Sequence, residues 1–212
     1  MRANRINIRK SCPGRFIVGL TGGVACGKST VLKIFGRLGA RTICSDTLAG
    51  QALEKGKPAY MAAVKKFGAG ILGKDGALNR SALAAEVFTS PASRRWLENI
   101  VHPQVLRSIS GMIKKSGPGI IAVDAPLLFE AGLEGFFDLT VTVCADKKDR
   151  MKRALARGWS RKDMLARIKA QWPQARKAAA ADTVIDNTGS MRQLRDRAER
   201  LFAALKTMNR KK

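Results

Sequence analysis

Gly19-Leu20-Thr21-Gly22-Gly23-Val24-Ala25-Cys26-Gly27-Lys28-Ser29-Thr30 is the stretch whose reading decides the fold. Gly22, four residues, then Gly27, Lys28 and Ser29 make the spacing G-x-x-x-x-G-K-[ST] of a phosphate-binding loop. Gly22 and Gly27 admit backbone angles closed to other residues and let successive N–H groups point inward at an anion. The intervening Gly23, Val24, Ala25 and Cys26, with Thr30 beyond, complete the backbone around that anion. Lys28 adds a mobile positive charge. Ser29 offers a hydroxyl to Mg²⁺, and a helix starting here turns its positive end toward the same phosphates. Such a match arises by chance in roughly one chain in 100 of this length, so the flanks carry weight.

Those flanks agree with the motif. Arg15-Phe16-Ile17-Val18-Gly19-Leu20 reads as a short buried strand, and Val31, Leu32, Ile34, Phe35 and Leu38 recur at helical spacing. Further along, Ala40 to Cys44 reads as a second strand ending at Ser45-Asp46. Asp46 then has two readings: an acid on the rim where parallel sheets bind ligands, or a cap for a helix from Thr47 to Glu54. From Pro58 to about Lys115 the pattern is helical, broken by glycines and Pro91, with no strand signal. Gly119 to Val123 is an uninterrupted apolar run, as in a strand buried on both faces, and Asp124 at its end is the expected place for an acid holding a Mg²⁺-bound water. Leu139 to Cys144 and Thr183 to Asp186 read as further strands. A last helix, Gln193 to Lys206, carries Leu194, Ala198, Leu201, Phe202 and Leu205 on one stripe. Alternating strands and helices predict an α/β fold with helices on both faces of a parallel sheet.

With 212 residues, 45% of them hydrophobic, the chain can bury one sizeable core. No run is long and apolar enough to predict a transmembrane segment. The cysteines at 12, 26, 44 and 144 have no C-x-x-C or metal-ligand spacing, which suits a reducing, cytoplasmic setting. The net charge of +24 is unusual for an enzyme. Most of it lies in three places: residues 1–15 with five basic and no acidic residues, residues 206–212 with four and none, and Lys147 to Lys177 with twelve against Asp149 and Asp163. The first and last read as solvated extensions, the middle block as helical.

Taken together, these motifs resemble the dephospho-CoA kinase family. The resemblance runs from about Phe16 to Leu205 and is carried by GLTGGVACGKST, Ser45-Asp46 with Leu48-Ala49, Leu78-Asn79-Arg80, Val87-Phe88, and LENIVHP at Leu97 to Pro103. It continues through DAPLLFE at Asp124 to Glu130, Arg153 and Arg157, ARIKAQ at Ala166 to Gln171, Ala181-Asp182, and IDNTG at Ile185 to Gly189. The resemblance implies a three-layer P-loop NTPase fold with a parallel five-stranded sheet, a helical substrate-binding insertion and a lid. It implies a core at 16–50, 116–146 and 178–206, the insertion at 51–115 and the lid at 147–177, between a basic extension at 1–15 and a tail at 207–212. The implied reaction moves the γ-phosphoryl of ATP, with Mg²⁺, to the ribose 3′-hydroxyl of dephospho-CoA.

By the same resemblance, Asp46 is the candidate base and Lys28, Arg153 and Arg157 stabilise the transferring group. Asn187 joins the loop in holding nucleotide. Arg80, His102, Leu127 and Glu130 bind the acceptor, and Ser29 and Asp124 hold the metal. Arg153 and Arg157, four apart, are expected on one helix face. His102 equally fits a structural role before Pro103. Two departures stand out: Cys44 where the family commonly has an acid, and Gly50 where it usually has a basic residue, with Arg41 or Lys55 as candidate substitutes. The basic tails raise an alternative, a nucleic-acid-binding module with a regulatory ATP site. Aromatics at 6% and the lack of any reader motif argue against a specific nucleic-acid partner. A kinase of another small hydroxyl acceptor is the other alternative. A monomer or weak homo-oligomer is expected.

Overall fold

A computed structural model describes residues 14–210; Cys12 and most of the basic leader, together with residues 211–212, lie outside the described residues. The described chain divides into two compact units, one of residues up to Cys44 and from Ile113 onward, the other from Ser45 to Met112. This division differs from the 51–115 bounds read from sequence, because residues 45–52 already form a helix of the second unit.

The first unit is built on five parallel strands: β1 (Arg15–Gly22), β2 (Arg41–Cys44), β3 (Gly119–Asp124), β4 (Leu139–Cys144) and β5 (Thr183–Asp186), in the order β2-β3-β1-β4-β5. Seven of the eight residues of β1 are buried, as a central strand covered on both faces must be. Helix α1 (Lys28–Arg37) follows the loop and buries Val31, Ile34 and Phe35. The C-terminal helix, numbered α9 below, runs from Met191 to Arg210 and buries Leu194, Ala198, Phe202 and Leu205. The two helices meet at Phe35 and Phe202, whose ring centroids are 5.3 Å apart. Their apolar stripes and the β1, β3 and β4 side chains beneath them form one core, which fixes where β1 ends and the loop begins.

The second unit holds α2 (Ser45–Ala52), α3 (Pro58–Phe67), α4 (Arg80–Thr89) and most of α5 (Pro91–Lys115). Ala63, Ile71 and Leu83 make its small core, with Leu53, Phe67, Leu78 and Leu97 packed against them. Trp96 meets Phe67 edge-on at 5.4 Å and so serves packing. Back in the first unit, α6 (Lys147–Leu155), α7 (Arg161–Lys169) and α8 (Gln174–Ala180) follow β4.

Candidate active site

The loop between β1 and α1 has the geometry that anion binding demands. Gly22 has φ 142° and Gly27 φ 103°, both open to glycine and strained for other residues. A Cβ at Gly22 would meet the Val143 carbonyl, and one at Gly27 would meet the Asn187 amide. Ala25 accepts φ 57° although it is not glycine. Gly27 is the N-cap of α1, with no side-chain capping bond among the described residues and no acid in the first turn. The first amides and the positive end of the helix are therefore left for an external anion. Lys28 Nζ folds back onto the carbonyls of Gly22 (3.1 Å) and Gly23 (3.4 Å). Ser29 is exposed beside it, while Cys26 is wholly buried.

Helices α6 and α7, in the segment expected to form a lid, rest on this loop. Val24 and Ala25 pack with Ala154 and Met164, and Met151, Trp159 and Ile168 close the cluster. Arg153 donates from Nη2 to the Asn187 carbonyl (3.2 Å), and Asn187 Nδ2 donates to the Cys26 carbonyl (2.8 Å). Arg153, Asn187 and the loop are thus brought together as one hydrogen-bonded chain. Arg153 Nη1 is buried and has no hydrogen-bond partner among the described residues. Arg157 departs from the expected helix face: α6 ends at Leu155, so the two arginines do not share one. Arg157 sits in the turn that leads to Gly158 (φ 76°) and is exposed. Arg150, which spacing did not single out, occupies the loop instead. Its Nε donates to the Val24 carbonyl (2.7 Å), and its guanidinium covers Gly23, where a Cβ would stand 2.8 Å from Nη2.

Asp124 closes β3, buried, with its Cα paired to Leu20 on one side and to Cys44 on the other. Cys44, standing where an acid was expected, is half-buried at that edge with a free thiol. Ser29 and Asp124 offer a hydroxyl and a carboxylate, both hard oxygen donors of the kind Mg²⁺ takes. Among the described residues no group of three or more His, Cys, Asp or Glu could hold a metal by itself. The donor set therefore fits a cation that draws its other ligands from phosphate and water.

Beyond Asp124, Leu127 is half-buried while Leu128 and Phe129 are buried. Glu130 turns inward: Oε1 accepts from Lys177 Nζ (2.8 Å) and from the Trp172 N–H (2.7 Å), and Oε2 is buried with no hydrogen-bond partner among the described residues. Lys177, counted in sequence with the basic block, is completely buried. Burial pushes its ammonium below the usual lysine value, with Glu130 acting in the opposite direction.

In the helical unit, α2 begins at Ser45, so Asp46 stands exposed within its first turn and not ahead of a helix that it caps. With Thr47, Gly50, Gln51, Glu54 and Arg80 it lines a cavity of about 450 Å³. Asn79 explains how Arg80 gets there: its Oδ1 accepts from the N–H groups of Ser81 and Ala82 (both 3.1 Å), capping α4 and fixing Arg80 as the first helical residue. The Arg80 guanidinium then lies against Gly50, with Nη2 3.0 Å from where a Cβ would be. The position with the missing basic residue is therefore covered by Arg80, while Lys55 spends its ammonium on the Asp75 carbonyl (3.2 Å). His102, half-buried in α5, lies outside the residues lining that cavity. Burial lowers its pKa below 6.5, with Glu98 opposing.

The dephospho-CoA kinase family model matches residues 16–193. A dephospho-CoA kinase of Anaeromyxobacter dehalogenans is 41% identical over 194 residues, covering 90% of this chain and 92% of that protein. Among solved structures, TT1252 from Thermus thermophilus superposes with a TM-score of 0.78 at 35% identity, covering 91% of this chain and 97% of its own. The dephospho-CoA kinase from Campylobacter jejuni superposes at 0.66 and 25% identity, covering 92% and 99%. With the loop, the parallel sheet and the DAPLLFE segment all inside the matched span, the chain belongs to the dephospho-CoA kinase family.

Proposed function

We propose that this kinase transfers the γ-phosphoryl of ATP to the ribose 3′-hydroxyl of dephospho-CoA, giving coenzyme A and ADP, with Asp46 as the base that accepts the hydroxyl proton. The observation that carries the phosphate half is Lys28 Nζ, which among the described residues is held by the carbonyls of its own loop and can turn onto incoming phosphates. Phosphoryl transfer asks a protein mainly to converge positive charge on the transferring group. Lys28 and the loop amides of residues 22–30 bind the triphosphate, Arg153 offers its buried Nη1, and Asn187 shapes the nucleotide side. Arg157, exposed here, would have to move with the lid to take part. Mg²⁺, held through Ser29 and Asp124, would neutralise charge on the phosphate oxygens.

On the acceptor side, Arg80, His102, Leu127 and Glu130 are the binding residues in this reading, with Glu130 Oε1 also held by Lys177. Arg80 brings charge to the cavity that Asp46 lines. Burial disfavours the charged form of His102, which in this reading would contribute a hydrogen bond and not a charge. Among the described residues no helix is long and apolar enough to cross a membrane. The reading places the enzyme in the cytoplasm as a monomer or weak homo-oligomer, with no specific nucleic-acid partner. The test is ADP release with ATP, Mg²⁺ and dephospho-CoA beside a panel of shikimate, nucleosides and adenosine 3′-phosphate compounds. Turnover confined to dephospho-CoA is the expected result; equal or faster turnover of another acceptor would overturn the substrate assignment.

A further inference from the structure

We propose that Lys177 is a positioning residue for phosphoryl transfer: through Glu130 and the Pro126 carbonyl it fixes the loop that follows Asp124 and ties the end of the lid to that loop. This rests on the kinase reading above. Lys177 Nζ donates to Glu130 Oε1 at 2.8 Å and to the Pro126 carbonyl at 2.5 Å. Thr21 Oγ1, from β1, donates to the same Pro126 carbonyl at 3.2 Å. The backbone of Lys177 is itself anchored, because Thr142 Oγ1 of β4 donates to its carbonyl at 3.0 Å. Both ends of the lysine stem are therefore fixed to the sheet and to residues 126–130.

The lid is attached to the far end of that arrangement. Glu130 Oε1 also accepts the Trp172 N–H at 2.7 Å, and the Trp172 ring stacks on Phe129 with centroids 6.1 Å apart and planes 12° from parallel. Trp172 follows α7, the lid helix that contributes Met164 to the cluster on the phosphate loop. One buried pair thus connects the lid's exit to the segment that starts at Asp124. Thr21, the residue before Gly22 of the phosphate loop, shares the Pro126 carbonyl with Lys177, which puts the strut beside that loop.

Stability alone does not account for such a pair. A buried ion pair is often replaceable by apolar side chains at no loss, because desolvation of two charges offsets their attraction. What an apolar pair cannot supply is a directional donor to the Pro126 carbonyl. Retaining the charges here serves the placement of the loop and of Asp124.

The experiment compares Lys177→Met, Glu130→Gln and the double variant, which leaves no unpaired charge in the interior. Each is assayed for turnover of dephospho-CoA, for melting temperature, and for protection of the lid's lysines and arginines from trypsin by ADP. The double variant should melt within about 3 °C of wild type, a shift on the order of 1 kcal/mol for a chain of this size. Its kcat should stay about 10- to 100-fold low, the usual loss when a supporting residue behind a site is removed. KM for ATP should stay within about threefold, since the loop contacts are intact. Nucleotide protection of the lid should be lost. A double variant that regains both kcat and protection overturns the proposal, because a pair without charge and without the lysine donor then does everything that Lys177 and Glu130 do. Trypsin protection needs no acceptor, so it judges the strut even if wild type fails to use dephospho-CoA, a failure that would count against the substrate assignment alone.

Discussion

Gly50→Ala separates stability from acceptor binding. Gly50 lies inside α2, where alanine is ordinarily better than glycine by about 0.5–1 kcal/mol because glycine has more backbone freedom to lose. For a chain of this length that gain raises the melting temperature by roughly 1–4 °C. The added methyl, however, would stand 3.0 Å from Arg80 Nη2. That separation is too close by a few tenths of an ångström, and the guanidinium, at the end of a flexible side chain, is the group that yields.

If Arg80 holds the acceptor from the cavity it shares with Asp46, its displacement weakens that contact. Losing a hydrogen bond from a charged group outright costs about 1.5–3 kcal/mol, or roughly 10- to 100-fold in affinity. A shift of tenths of an ångström should take only part of that, on the order of two- to tenfold in KM for dephospho-CoA. Gly50→Leu, which fills more of the cavity, should approach the full loss. KM for ATP should not move in either variant. Steady-state kinetics with each substrate varied, beside thermal melts, reads all of these. A Gly50→Ala enzyme that is more stable and binds dephospho-CoA as well as wild type would refute the assignment of Arg80 to the acceptor.

Three other perturbations address the rest of the site. Lys28→Ala should lower kcat by at least about 10³-fold with little change in melting temperature, since among the described residues Nζ bonds to loop carbonyls alone and phosphoryl transfer depends on converging charge; near-normal turnover would remove the loop from the mechanism. Asp46→Asn should lower the saturated rate by roughly 10²- to 10⁴-fold, the range for one positioned acid–base group, while nucleotide affinity survives. A fall in melting temperature alone, from losing an acid in the first turn of α2, would leave Asp46 as a helix residue and no base. For His102, the folded pKa is depressed below 6.5, so the unfolded chain binds the proton more readily. Stability from this group is complete above about pH 6.5 and is lost as pH falls through the lower folded value. His102→Gln should flatten the decline in melting temperature from about pH 7 to pH 5; an unchanged slope would show that His102 does not titrate in this way.

The phosphate loop was legible because its chemistry is contiguous: the spacing from Gly22 to Ser29 dictates the backbone angles found at Gly22 and Gly27. Strand β3 was legible as an uninterrupted apolar run, and Leu194, Ala198, Phe202 and Leu205 of the C-terminal stripe lie buried as its period requires. Periodicity misled where a helix stopped. Arg153 and Arg157 are four apart, but the left-handed turn at Gly158 follows a helix already finished at Leu155. The start of α2 was also read two residues late, since Ser45 and Asp46 resemble a cap as much as a first turn. The contact between Arg80 and Gly50 joins residues thirty apart in the chain, and nothing local to either one announces it.

The basic block from Lys147 to Lys177 shows why charge counting could not assign roles. Arg150 and Arg153 reach backbone carbonyls around the phosphate loop, and Lys177 is enclosed with Glu130. Arg167 lies 4.6 Å above the Trp159 ring and Arg176 3.5 Å above Trp172, where the aromatic face is the partner of the cation. Lys147, Lys148, Lys152, Arg161, Lys162 and Lys169 are exposed. Salt at physiological strength screens exposed charges beyond about 8 Å but hardly weakens a buried pair. These exposed cations can therefore contribute only a diffuse field, which fades with added salt. The inward cations act through fixed hydrogen bonds, and their contribution to turnover should persist at ionic strengths where the field is gone.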